Sequence, residues 1–412
     1  ENNLNQPAER SVGKTMDGVQ ERLTNYACDL SYGELTPHAV HAAKVRIIDT
    51  LGSLIGGFFG EPCQISRNLA AGMPDPGGAT IIGTRMKTSP DLAAFVNATT
   101  ARDAEMNDVY HGPRFHGHPS DTVMPVFAVA ELMQANGRDF ITGVVLAYEV
   151  YLRFADVFSN SGFDSTNFGC LGVALAAGKL FGLEAGPLAH CISMAAVPNV
   201  ILRQVRTTTC PLSMFKSAAA GQAGRAGVFA AMLARAGMHG PHLPFEGKAG
   251  WCDHVARERF SLDTLGGADT PFKILDTHIK QRASCGSTIS TILAAEKVAP
   301  LKNIKEVEQV TVEVYEYAAT KSGVGAHHWN PDSRESADHS IPYVTAAALI
   351  DGVVTPRSFS DARLRNPELR ALMQKIKVVE NAEFTEGFAR YPVEHRTRIT
   401  VVTTSGERLV GE

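Results

Sequence analysis

The 412-residue sequence contains no CxxC pair among its seven scattered cysteines, and their number is odd. A zinc ribbon needs paired thiolates and a disulfide framework needs an even, closely spaced set, so neither is expected. Runs of basic residues are also missing. Lys and Arg (39) fall short of Asp and Glu (43), for a formal net charge of −4. Holding nucleic acid by its phosphates requires clustered cations, so no nucleic-acid partner is expected, whereas a small anion held by a few placed cations is allowed. The apolar stretches near 47–60 and 141–152 are too short, or too interrupted by charge, to span a bilayer, and the N-terminus lacks a charged-then-apolar leader pattern. These absences set a globular, cytoplasmic protein without a membrane partner as the expectation.

With 44% hydrophobic and 20% charged residues, the chain can bury a large core in one large domain or two unequal ones. Thr36-Pro37 reads as an N-cap followed by proline at the first helical position. Val40, Ala43, Ile47, Leu51 and Leu54 then recur at helical spacing. Further helices are predicted over 90–103, capped by Ser89, and over 121–135, 140–158 and 168–181. In 217–237 an alanine-rich helix carries Gly221, Gly224 and Gly227 at three-residue spacing; each glycine costs about 1 kcal/mol against alanine, so the smooth face implies close helix packing. Around Pro271 the pattern changes. Val310, Val312 and Val314 alternate with polar residues, 399–403 is rich in β-branched residues before a Ser405-Gly406 turn, and a helix over 342–351 ends at Gly352. The predicted fold is mainly α: a helical domain over 1–268, an α+β domain over 269–398, and a C-terminal segment, 399–412, returning to the helical domain.

The chemistry concentrates in EMNDVYHGPRFHGHPSD, residues 105–121, which gathers Asn107, Asp108, His111, His116, His118 and Asp121. Histidine titrates near neutral pH, so it can take a proton from carbon or give one to a leaving hydroxyl, and a carboxylate can fix its tautomer. Ser120 or Asp121 would cap the next helix and hold His118 in place. A metal set of His116, His118 and Asp108 is the rival reading, although no spacing such as HExxH supports it. Lys216, at the start of the glycine-smooth helix, is badly placed for the helix dipole and is therefore a candidate for a substrate carboxylate. Arg203 and Arg206 are candidates for a bidentate clamp, and Lys280 for a similar role. Asp164 either caps the following helix or contacts substrate. In RESADHSIPY, His339 and Tyr343 stand four apart, one turn if the segment is helical; Tyr343 is equally a core aromatic with a satisfied hydroxyl.

Taken together, NDVYHGPRFHGHPSD, YEVYLR, KSAAAGQAGRAGVFAAMLARAGMHGP, PFEGKAG and ADHSIPYVTAAALIDG resemble the MmgE/PrpD family, in order, over residues 40–400. That family includes 2-methylcitrate dehydratases, cis-aconitate decarboxylases and iminodisuccinate epimerase. The resemblance implies an all-helical domain, a smaller α+β lid, a cleft between them, a homodimer, and catalysis without an obligatory metal or organic cofactor. It also implies that His118 in the HPS motif, Lys216 and the acidic 105–108 region belong to the site, with Tyr343 as the lid tyrosine. Two positions depart from it. Asp164 stands after Gly-Phe where decarboxylases tend to carry histidine, which is similar to the Gly-Trp-Asp of dehydratase-type members. Cys285, in QRASCGS, matches neither branch.

The expected activity is proton abstraction next to a carboxylate of a small di- or tricarboxylate, with loss of a β-hydroxyl. Epimerisation or decarboxylation through a similar carbanion remain alternatives, as does an inactive helical dimer with an interaction role. His118 or Asp108 is the candidate base and His111 or Tyr343 the candidate acid. Lys216, Arg203, Arg206 and Lys280, with Asn107 and Asp164, are the candidate substrate-binding groups.

Overall fold

The computed structural model describes residues 15–412, apart from residues 208 and 268. The first part is built from α1 (Gly18–Asp29), α2 (Pro37–Gly57), α3 (Glu61–Ala71), α4 (Pro90–Asp103), α5 (Val123–Leu132), α6 (Gly137–Val157), α7 (Thr166–Leu180), α8 (Ala185–Ala196) and α9 (Phe215–Arg235). Two small hairpins interrupt it, β1 (Ala79–Thr80) with β2 (Lys87–Thr88) and β3 (Tyr110–His111) with β4 (His116–Gly117). The α2 start is as predicted: Thr36 accepts from the Ala39 amide at 3.2 Å, with Pro37 behind it. Helix α4 spans the predicted residues, but Ser89 does not cap it; its hydroxyl donates to Asp91 instead. Nor do Ser120 or Asp121 cap α5 through their side chains, because a 3-10 turn, Pro119–Thr122, precedes the helix and the Ser120 hydroxyl accepts the Asp108 amide.

Helices α4, α7 and α9 form the centre, and α7, apolar on every side through its middle, is buried along almost its whole length. The glycines of α9 explain the close approach. A Cβ on Gly221 would lie 2.3 Å from Thr99 Oγ1 and 2.5 Å from the Phe95 carbonyl of α4, and one on Gly227 would lie 2.6 Å from the Cys170 carbonyl of α7. Only hydrogen fits there.

The second part holds α10 (Gly286–Glu296), β5 (Val307–Val314), α11 (Glu316–Ser322), β6 (Ile376–Glu380), β7 (Thr397–Thr403) and β8 (Arg408–Gly411). Its sheet runs β6-β5-β7-β8, with β5 and β6 parallel and the other pairs antiparallel. A parallel pair needs a crossover, and here it includes the buried helix Ile341–Asp351, which ends at Gly352 with φ 82°. The fold is mainly α with a smaller α+β region. Residues 399–412 do not go back to the helices: Val401 and Ile399 face into the second core and pair with Val310 and Val312 of β5. Phe272 and Ile274 pack in the first core and Ile292 opens the second. The connecting segment between them crosses the site, where Val109 and His278 exchange two backbone hydrogen bonds of 2.8 Å. No described helix is long and apolar enough to cross a membrane.

Candidate active site

Arg102 lies at the end of α4, and the chain then turns through Glu105, whose backbone is left-handed (φ 54°). A residue with a Cβ holds that conformation only where its surroundings over-determine it. Lys216 Nζ, from the first turn of α9, donates to Glu105 Oε2 at 2.7 Å; Lys280 Nζ donates to Oε1 at 3.1 Å and to the Glu105 carbonyl at 3.0 Å. Burial raises the Glu105 carboxyl, but Arg102, Lys216 and Lys280 together hold it well below the usual carboxylate range. Arg102 stands 3.8 Å from Glu105 and 3.9 Å from Asp121, and its Nε and Nη1 find no hydrogen-bond partner among the described residues. A guanidinium only 2% exposed thus lines the cleft with two donors unpartnered.

His118 follows the β3–β4 hairpin, in which His111 lies opposite His116. A Cβ on Gly117 would come within 2.5 Å of the Tyr151 ring, so the chain lies flat against Tyr151, whose hydroxyl accepts the His118 amide at 3.0 Å. His118 Nδ1 is 2.8 Å from the Asp108 carbonyl oxygen. That contact requires the proton on Nδ1, leaving Nε2 with a lone pair. Burial, then the charges of Arg102 and Lys280, hold the His118 pKa well below its ordinary value, so the ring is neutral at pH 7.

The candidate base Asp108 is placed behind this histidine and does not line the cleft. Its carboxylate accepts from the Ser120 amide and from Tyr148 Oη, both at 2.9 Å, and so braces the loop.

A cleft of about 340 Å³ lies between the two parts, lined by Arg102, Glu105, His118 and Lys216 on one side and by Cys285, Tyr317, Lys321, His339 and His395 on the other. Arg203 and Arg206 also line it, from a 3-10 turn. Asp164 holds both: its Oδ2 is 3.2 Å from Arg203 Nη1 and 2.8 Å from Arg206 Nε, the latter an ion pair whose N–H is not aimed at the oxygen. Its Oδ1 accepts from the Thr166 amide and hydroxyl. Burial works against its charge, yet Arg206 and Arg203 hold it below the ordinary value. Both readings of Asp164 thus merge, since it braces the start of α7 and orients two cleft arginines, but it is not itself a cleft residue.

Tyr343, the candidate acid, is in the second core. Its hydroxyl donates to the Ser358 carbonyl at 2.6 Å, and its ring stacks on Phe359. His339 is not one helical turn from it, because Ser340 caps the helix and leaves His339 in the preceding loop, facing the cleft. His111 is at the cleft, with Nδ1 3.3 Å from His116 Nδ1 and its ring 4.5 Å from that of His395. Burial and then His395 and His116 depress its pKa to about 2. Asn107 is buried against Asp121, and Lys280 sits one layer behind the cleft wall. Among the described residues no group of three or more His, Cys, Asp or Glu side chains is arranged to hold a metal ion. His116 turns to His111 while His118 is tied to the Asp108 carbonyl, so the ligand set considered above is not assembled.

The sequence pattern does not single out Arg102, Lys321 or His395. Arg102 carries one faint signal, a charge inside an otherwise small-residue helix; the other two reach the cleft through the second part's tertiary packing alone.

Fold and cleft define a class: a helical part and an α+β part meeting at a cation-rich, histidine-bearing pocket. The chain belongs to the MmgE/PrpD family, its N-terminal domain matching residues 21–262 and its C-terminal domain residues 283–412. It is similar to the human cis-aconitate decarboxylase, with 26% identity over 88% of this chain and 77% of that one. Identity is also 26% to a probable 2-methylcitrate dehydratase of Saccharomyces cerevisiae (85% and 72% covered) and 24% to the 2-methylcitrate dehydratase of Salmonella typhimurium (92% and 81%).

Proposed function

We propose that this protein is a lyase of small di- or tricarboxylates that removes a proton next to a carboxylate and expels a β-hydroxyl, as a 2-methylcitrate dehydratase does. The observation that carries the reading is His118: neutral, its proton fixed on Nδ1, its Nε2 free in a cleft whose buried cations include one with unused donors. A carbon acid beside a carboxylate is very weak, so its abstraction needs a placed base and positive charge where the electron pair develops. His118 Nε2 takes the α-proton. Arg102 and Lys216 stabilise the charge that spreads into the adjacent carboxylate, while Arg203 and Arg206 hold a second carboxylate. None of these steps calls on a metal or an organic cofactor. Membership of a family whose named relatives are dehydratases and decarboxylases supports the same chemistry.

Proton NMR in heavy water with methylcitrate, citrate, cis-aconitate and iminodisuccinate tests it. Alkene signals from methylcitrate or citrate support dehydration. Carbon dioxide with an itaconate-like product from cis-aconitate shows decarboxylation instead, and deuterium at Cα with loss of configuration shows epimerisation. No change in any acid sinks the polycarboxylate reading.

We also infer that the protein works as a cytoplasmic homodimer, with the α+β part as a lid. The apolar stripe Ile48, Ile55 and Phe59 along and just beyond α2, exposed by 69%, 71% and 80%, is the surface a second copy would cover. Light scattering should give twice 44.2 kDa; a monomer that Phe59→Ser leaves unchanged counts against the dimer.

A further inference from the structure

The α+β wall carries a second proton-handling group that the reading above leaves unused. Cys285, 4% exposed, stands just before the start of α10; its amide donates to the Asp338 carbonyl at 3.0 Å, and its thiol lies 3.2 Å from Ser287 Oγ. His339 lines the cleft beside this thiol and, through Nδ1, pairs with Asp338 Oδ1. Asp338 is in turn 3.7 Å from Lys216 Nζ. Cys285 and His339 both line the cleft, as does Arg102 with its unused donors, so the pair faces the place where an anion would sit.

We propose that His339 is the general acid of the site, and that Cys285 and Asp338 are positioning residues that keep its imidazole protonated. The inference rests on the lyase reading. His118 Nε2 takes the α-proton, the C–H electron pair becomes the new π bond, and the C–O pair goes to oxygen. His339 gives its N–H proton to that oxygen, and water departs. The site ends with His118 protonated and His339 neutral beside the Cys285 thiolate, and proton exchange with water restores both.

The charges agree with the geometry. Burial raises the Cys285 thiol, but His339 and Lys321 outweigh it and hold the pKa well below the ordinary thiol value, with Glu105 opposing them. Burial likewise lowers His339, yet Cys285 and Asp338 raise it above the ordinary imidazole value against Lys216. His328, also depressed by burial, adds no charge near neutrality.

Cys285→Ser removes the thiolate and keeps the size, so the alkaline limb of kcat/KM should move to lower pH by about one unit. His339→Gln should lower kcat about 100-fold or more while KM changes little. In the wild type at pH 6, iodoacetamide should label Cys285 faster than the exposed Cys210, as read by peptide mass, and tricarballylate should block it. An alkaline limb unmoved in Cys285→Ser, a near-normal kcat in His339→Gln, or Cys285 labelling no faster than Cys210 overturns the proposal. A wild type that turns over none of the four acids sinks the lyase reading itself, and an active wild type with an unmoved limb sinks only the acid assignment.

Discussion

At the scale of single residues, what matters is which atoms are left over once the internal hydrogen bonds are made. His118 has Nε2 left, Arg102 has Nε and Nη1, and Asp108 has nothing, because Ser120 and Tyr148 take both of its carboxylate oxygens. His118→Ala should therefore cut kcat by about 10²–10⁴-fold with an unchanged melting temperature, the usual worth of a placed base. Asp108→Asn should act mainly on stability, since the single amide oxygen can keep the Ser120 bond but turns an N–H donor toward Tyr148 Oη, which donates to the carboxylate. Thermal melts beside steady-state rates separate the two. The His118 pKa lies below its ordinary value, so the base form persists as the solution is acidified. The acid limb of kcat/KM should accordingly fall below pH 6.5, and a limb above that value argues against His118 as base. The segment 105–121 could be read from the sequence because loops dense in ionisable groups are costly to place without purpose. Tyr343 could not be assigned that way, since whether its hydroxyl meets a substrate or the Ser358 carbonyl depends on packing that spacing does not encode.

Among elements, α9 shows how a run of small residues becomes a positional device. Gly221 lets α9 settle on α4, which fixes Lys216, five residues before it, against Glu105 just beyond the end of α4. Gly221→Ala forces a methyl onto Thr99 Oγ1 and the Phe95 carbonyl and should destabilise by about 1–3 kcal/mol, the usual effect of overpacking. A rise in KM should accompany the lower melting temperature. The histidines around the β3–β4 hairpin make a second element-scale prediction. His111 is depressed to about 2, and His116 and His395 to about 4, each first by burial. Unfolded, these rings take protons near pH 6.5, so the unfolded chain binds more protons below that value. The stability they contribute is complete above pH 6.5 and is lost as pH falls toward 4. The melting temperature should drop over that window, less steeply in His395→Gln. The helices were legible to within a few residues wherever apolar spacing or a Pro start marked them. The Thr36 cap was legible too, whereas those expected at Ser89 and Ser120 were not made, because these hydroxyls found partners elsewhere.

For the molecule as a whole, the site belongs to neither part alone. Arg334 from the second part pairs with Asp103 of α4 at 2.6 Å, and Lys216 approaches Asp338 across the same divide. A tricarboxylate analogue that bridges the two walls should raise the melting temperature of the whole protein in one transition, by the equivalent of about 2.7 kcal/mol at a hundredfold excess over Kd. Two transitions, only one of which shifts, would mean that the walls do not act together. That the chain has a helical and an α+β part was visible in the switch from helical to alternating periodicity; the place of the join was not, since Phe272 and Ile274 still pack in the first core. The return of 399–412 to the helices was not what the chain does, because strand periodicity identifies a strand without naming its neighbour. The connecting segment has a final bearing on descent. It is bonded to Val109 at His278 and delivers Lys280 to Glu105, so it belongs with the helical part's chemistry while lying next to the other part in sequence. The C-terminal portion of this chain therefore cannot be exchanged as a module at an arbitrary joint. A chimera joined before residue 278 brings in a foreign lysine and strand bridge with the graft, whereas one joined after Lys280 keeps the native floor and exchanges only Cys285, His339 and their wall.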